Sequence, residues 1–144
     1  MSKFQLQFEP EPTPDDVRFL EDRLYEFNVA ATGITDGVLL AIFVRAQDGA
    51  MLAGLCGHTW GRTCEIRQLW IEEALRGQGL GSALMEAAET EARRRGCRQI
   101  LLTTHSFQAP GFYRKRGFEL VTSVEDYPEG HQHLLFRKRL EPVG

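Results

Sequence analysis

A chain of 144 residues, 42% hydrophobic and 26% charged, is long enough to bury one real core and has the composition of an ordinary globular domain. Seventeen basic against twenty acidic residues, a formal charge of −3, excludes a nucleic-acid binder that works by neutralising phosphates and tilts toward a neutral or cationic substrate. The three cysteines, Cys56, Cys64 and Cys97, are odd in number and lack CxxC spacing, which excludes a disulfide framework and fits a reducing cytoplasm.

The N-terminal residues carry no charged stretch followed by an apolar one, so no signal peptide is expected. Lys3 to Glu9 alternates, with Phe4, Leu6 and Phe8 on one face, and reads as a first half-buried strand. Pro10, Pro12 and Pro14 end it, and Thr13 with Asp15 and Asp16 opens a helix. Val17, Leu20, Leu24 and Phe27 form that helix's apolar face, and it is expected to fray over 30–33. Two hydrophobic runs, 37–46 and 50–60, flank the hairpin signal Gln47-Asp48-Gly49. A second turn, Trp60-Gly61-Arg62-Thr63, leads into a strand over 64–71. Its apolar positions Ile66, Leu69 and Ile71 break strict alternation, which predicts a β-bulge between Ile66 and Leu69. The longest apolar run, Val38 to Val44, is too short to span a membrane.

Behind that strand comes Arg76-Gly77-Gln78-Gly79-Leu80-Gly81-Ser82, then a helix with Leu80, Ala83, Leu84, Ala87, Ala88 and Ala92 on one face and a stop at Gly96. Residues 98–104 hold Ile100, Leu101 and Leu102, a buried strand pairing parallel through a crossover helix. Ser106 or Gln108 is expected to cap a short helix with Pro110 in its first turn and Gly117 at its end. Two strands, 118–125 and 133–140, joined around Tyr127-Pro128-Glu129-Gly130, complete the order β-α-β-β-β-α-β-α-β-β. The expectation is one mixed α/β domain over 1–144, its sheet mostly antiparallel.

Three glycines alternating over five positions let the backbone bend tightly and turn several N–H groups toward one ligand, and the helix N-terminus behind them adds unpaired donors and a positive dipole end. That suits a phosphate or pyrophosphate. The spacing is neither G-x-x-x-x-G-K-[ST] nor G-x-G-x-x-G, so P-loop and dinucleotide sites are disfavoured. What matches is Arg-x-x-Gly-x-Gly at Arg76, Gly79 and Gly81. Together with Ala109-Pro110-Gly111-Phe112-Tyr113-Arg114-Lys115-Arg116-Gly117-Phe118, it resembles the two signature segments of the GNAT N-acetyltransferase superfamily.

The resemblance runs from about Phe4 to Leu140 and implies a sheet whose fourth and fifth strands splay to admit acetyl-CoA. It implies an N-acetyltransferase with acetyl-CoA as co-substrate and an amine, of a small molecule or peptide, as acceptor; no metal, nucleic-acid or membrane partner is expected, and a homodimer is an allowed assembly. The backbone from Arg76 through Gly77, Gln78, Gly79, Leu80 and Gly81 to Ser82 would cradle the CoA pyrophosphate, with the Arg76 side chain adding charge. The main chain of Leu69, Trp70 and Ile71 would bond pantetheine and polarise the thioester carbonyl, and Phe112 would line the cofactor. Tyr113 sits where the family places its general acid, and a protonated phenol can donate to a departing thiolate.

The attacking amine also needs a base. Glu65 is the best-placed carboxylate and His105 a second candidate, though each also reads as a surface or structural residue. The family often has a cofactor-contacting asparagine where this chain has Thr104-His105-Ser106-Phe107-Gln108. Cys56, His58 and Cys64 read as buried or half-buried residues rather than metal ligands. Arg93-Arg94-Arg95 and Arg98 read as a solvated helix end. Arg114-Lys115-Arg116 reads as a solvated face, with reach toward the CoA 3′-phosphate as the alternative. Phe27, Asn28, Trp60, Glu65, Tyr127 and His131 are candidates to line the acceptor side, where a ring beside acidic groups could hold an ammonium. A module that binds acyl-CoA without catalysis is the rival reading.

Overall fold

A computed structural model describes residues 3–141 of the chain. They fall into two compact units, one ending at Thr35 and the other beginning at Asp36.

The first unit is a segment without regular structure followed by helix α1, Pro14–Thr32. Thr13 caps it as expected, its hydroxyl accepting from the Asp16 N–H at 3.2 Å, with Pro14 in the first turn. The helix does not fray at Ala30. It runs on to Thr32, whose hydroxyl donates to the Asn28 carbonyl at 2.7 Å, and Gly33 closes it on Val29 O. Val17, Leu20, Leu24 and Phe27 are 44–69% exposed.

The strand expected over Lys3 to Glu9 does not form, and Phe4, Leu6 and Phe8 are 79–97% exposed. Alternation describes a residue's two faces, but a strand also needs a ladder partner, and the prolines at 10, 12 and 14 remove backbone donors just beyond it.

The second unit is a six-stranded sheet in the order β1-β2-β3-β4-β6-β5, with β1 Val38–Arg45, β2 Met51–Trp60, β3 Thr63–Ile71, β4 Gln99–His105, β5 Glu119–Glu125 and β6 Gln132–Arg139. All neighbours are antiparallel except β3 and β4, which the crossover helix α2, Leu80–Arg94, connects in parallel. A single 3-10 turn, Glu73–Leu75, precedes α2, and helix α3, Pro110–Lys115, joins β4 to β5. The fold is the mixed α/β class expected, without its first strand.

Two details of the sheet shape the site. The register steps from Cys56↔Gln68 to Gly57↔Ile66, so Arg67 is the extra residue of a bulge, inside the window that the apolar spacing predicts. Gly57 is required there, since a Cβ on it would lie 2.0 Å from the Glu65 carbonyl oxygen. Further, β3 and β4 pair only from Thr63↔Gln99 to Ile66↔Leu102, although β3 continues to Ile71 and β4 to His105. Beyond Ile66 the two strands are open toward each other.

One face of the sheet is dry. Ala53, Leu55, Cys64, Ile66, Ile100, Leu102, Leu134 and Phe136 are buried in one core with Leu84, Met85, Ala88 and Ala92 of α2 and Tyr113 of α3. By the two-residue period, the opposite face carries His58, Glu65, Leu101, Thr103, His105 and His133.

Candidate functional site at the open end of strands β3 and β4

The glycine turn follows the open end of β3, one 3-10 turn later. Gly77 and Gly79 have φ of 78° and 83°, a backbone most residues avoid, and no heavy atom lies within 4 Å of where their Cβ atoms would be. Gly79 caps α2 without a side chain, and the first helical bond is Ala83 N–H to Gly79 O at 3.0 Å. The N–H groups of Leu80, Gly81 and Ser82 therefore stand ahead of the helix ladder, at its positive end. A Cβ on Gly81 would press on Ile71 Cδ1 at 3.2 Å and on the Phe112 ring at 3.5 Å, so strand end, turn and α3 converge here. Open space over a row of N–H donors fits a pyrophosphate. Arg76 is committed elsewhere. Its Nε donates to the Ile71 carbonyl at 3.0 Å, tying the turn back to the strand.

Over 67–71, β3 has β2 on one edge and no strand on the other. Every other backbone N–H and C=O of Leu69, Trp70 and Ile71 thus points into the opening rather than into a ladder. The Leu69 and Ile71 side chains pack on the core while Trp70 is exposed, as strand alternation requires.

Tyr113 comes from α3, where Pro110 sets the first turn. The helix is not capped by Ser106 or Gln108. Ala109 holds the cap position, and the Gln108 amide oxygen instead accepts from the Thr104 hydroxyl at 3.0 Å and the His105 N–H at 2.7 Å. Tyr113 is 9% exposed, with ring centroids of Phe112 at 5.2 Å and Phe118 at 5.9 Å, both edge-on. Burial pushes its phenol above the ordinary tyrosine range, so it stays protonated at neutral pH. No hydrogen bond between described residues consumes its O–H.

On the other face, Glu65 pairs with His58 across β2–β3 and ion-pairs with Arg67 Nε at 3.0 Å. His58 Nδ1 is buried with no partner. His58 is held below the ordinary histidine range by burial and then by Arg67, against an opposing pull from Glu65. His105 belongs to a cluster of rings: Nδ1 lies 2.9 Å from the Tyr127 carbonyl, and Phe107, Tyr127 and His133 centroids lie 4.7–5.3 Å away, with His131 edge-on to Phe107. Of the expected acceptor-side residues, Glu65 is at the opening and Tyr127 and His131 join this cluster at the far end of β4. Trp60 pairs with Thr63, at the closed end of the β3–β4 pairing. Phe27 and Asn28 lie in the first unit.

Of the two groups of cations read as solvated, Arg94, Arg98, Arg114 and Lys115 are exposed as expected, but Arg95 and Arg116 are committed to partners. Arg95 donates to Thr59 Oγ1, to the Leu39 carbonyl and to Glu91, locking the end of α2 onto β1 and β2. Arg116 turns to the buried Glu89 at 3.6 Å, which Lys138 Nζ also meets at 3.0 Å, so α2, the end of α3 and β6 share one carboxylate. Arg114 lies over the Phe136 ring. These tertiary pairings and the role of His58's neighbours leave no periodic mark in the sequence.

The "Acetyltransferase (GNAT) family" model matches residues 4–118. Blasticidin-S acetyltransferase of Streptomyces morookaense is 39% identical over 100 residues, 68% of this chain and 74% of that protein. An acetyltransferase of Agrobacterium fabrum is 33% identical over 120 residues, 83% of this chain and 88% of its own. A crystal structure described as an acetyltransferase from Agrobacterium tumefaciens superposes with a TM-score of 0.83 at 29% identity, covering 95% of this chain and all of that one. With the open strand pair, the glycine turn and the tyrosine helix in place, the chain belongs to the GNAT acetyltransferase family.

Proposed function

We propose that this enzyme is an acetyl-CoA-dependent N-acetyltransferase, moving the acetyl group to a primary amine of a small molecule or peptide by direct attack on the thioester. The observation that carries the reading is the end of β3–β4 pairing at Ile66↔Leu102, ahead of a glycine turn with open space above its donors. Acetyl-CoA, as co-substrate, supplies an acyl group already activated as a thioester.

The chain's own residues divide the work. N–H groups from Gly77 to Ser82 bind the pyrophosphate, with Arg76 holding the turn to Ile71. The backbone groups of Leu69, Trp70 and Ile71 that β2 leaves unpaired bond pantetheine and polarise the carbonyl. Phe112 closes the wall beside Gly81. Tyr113, kept protonated by burial, donates to the departing thiolate. Glu65 offers a carboxylate to the acceptor's ammonium from the opposite face.

The test is thiol release from acetyl-CoA across a panel of spermidine, tobramycin, an alanyl peptide, glutamate and blasticidin S, the last because a relative is named for it. Amine-dependent release above the no-acceptor rate supports the reading. Calorimetric binding of acetyl-CoA without release by any amine selects the binding-only module instead.

A further inference from the structure

We propose that His58 takes the proton from the attacking amine, directly or through one water, with Glu65 beside it as the charge that stabilises the resulting imidazolium. This rests on the acetyl-transfer reading above and assigns the proton acceptor that reading requires.

An amine arrives mostly as its ammonium, whose ordinary pKa is near 10.4, and must lose one proton before attack and another after it. As the N–C bond forms, the thioester carbonyl is briefly tetrahedral. When it collapses, the C–S bond breaks and its electron pair leaves on sulfur. Tyr113 gives the thiolate its proton and recovers one from solvent, while the protons from nitrogen leave through the acceptor base to solvent. The balance is an amide, a thiol and one released proton per ammonium consumed.

Four titratable groups that could take a proton stand on the acceptor face, and one of them, His133, lies opposite His105 at the far end of β4 with its ring among the same aromatics. Glu65 has one oxygen engaged by Arg67 at 3.0 Å. His105 lies three residues beyond Leu102, about 10 Å along β4, with Nδ1 committed to the Tyr127 carbonyl and its ring wedged among aromatics. His58 is the remaining one. The register sets it opposite Glu65, one residue before the last β3–β4 pair, and one strand, about 4.8 Å, from that edge. Gly57 and the Arg67 bulge fix that register.

The surroundings suit the role. His58 Nδ1 is buried without a protein partner, as is His133 Nδ1 farther along the face, but of the two only His58 stands beside the end of the β3–β4 pairing. Its register partner on β1, Leu39, is apolar, and Cys56 and Trp60 flank it on its own strand. The charged groups acting on it come from β3, Arg67 and Glu65. Burial and Arg67 keep the ring neutral at physiological pH, and Glu65 receives it once charged. A neutral imidazole is a better-matched base at that pH than a carboxylate.

His58→Gln is tested with the best amine of the panel. Expected is a fall in kcat of about 100-fold, an acetyl-CoA Kd by calorimetry within two-fold of wild type, and an unchanged amide NMR fingerprint. The acid limb of kcat/KM, which in the wild type rises through a pKa below 6.5, should vanish. Free imidazole should restore part of the rate in His58→Ala. In the protein without ligands, the His58 Cε1 proton should titrate below 6.5. A kcat within three-fold of wild type, or an acid limb retained in His58→Gln, overturns the proposal while leaving acetyl transfer standing. Absence of thiol release by the wild type with every amine defeats the acetyl-transfer reading itself.

Discussion

The two faces of the sheet meet at the same opening but are built differently. Toward α2 and α3, the opening is walled by packed apolar side chains, with Phe112, Phe118 and Phe136 each against Tyr113, and a turn whose donors are set by backbone alone. On the other side, His58, Glu65, Arg67 and the rings around His105 are part-exposed and held by charge pairs and ring contacts. Backbone and buried rings hold one geometry whatever the surface residues, which suits a ligand common to a whole family. Side-chain polar groups can be exchanged singly without disturbing a core, which suits an acceptor that differs between members. On the function proposed above, the cofactor would bind on the dry side and acceptor choice would rest on the wet one.

The sharpest way to break this division is Gly79→Val. Its φ of 83° disfavours a β-branched residue, and the added methyls project into the open space above the donors. Calorimetry should show CoA affinity lowered by more than about 100-fold, with a strain cost of only about 1–2 kcal/mol in the unfolding midpoint. Unchanged affinity would remove the turn from the site.

Tyr113→Phe keeps the ring packing and deletes only the O–H, so kcat should fall by about 100-fold with CoA affinity preserved. Because burial raises the phenol above 10, wild-type activity should persist to that pH before an alkaline decline, and the variant should lack that decline. A kcat that does not change excludes the acid role.

Glu89→Ala tests whether the dry side depends on its one buried carboxylate. It strands Lys138 and Arg116, and denaturant unfolding should show a loss of about 3 kcal/mol. A loss below 1 kcal/mol would mean that solvent already screens the network.

On the wet side, Phe107→Ala should move stability by no more than about 0.5 kcal/mol, since Phe107 is exposed. Its effect should be confined to the KM of the acceptor. A comparable change in acetyl-CoA KM would blur the two sides.

What could be read in advance follows the same line. The bulge was legible because Ile66, Leu69 and Ile71 depart from period two, and the tight glycine turn because positive φ at Gly77 and Gly79 favours glycine. Both are local facts. The strand expected at Lys3–Glu9 failed because alternation is silent about a partner. Arg95 and Arg116 were misread as solvated because their acceptors lie 36 and 27 residues away in the chain, at Thr59 and Glu89. His58 is half-buried as expected, and its place opposite Glu65 shows only in the β2–β3 register. Ser106 or Gln108 was expected to cap α3, but Ala109 holds the cap and the Gln108 side chain folds back to Thr104 and His105.

On the proposed function, the gap opening beyond Ile66↔Leu102 is the cofactor slot. A crystal structure with CoA bound tests it most directly. The pyrophosphate should lie within hydrogen-bonding distance of N–H groups between Gly77 and Ser82, with the pantetheine chain between β3 and β4 and its sulfur near the Tyr113 hydroxyl. CoA bound elsewhere, or β3 and β4 zipped together through Ile71 in the complex, would contradict it.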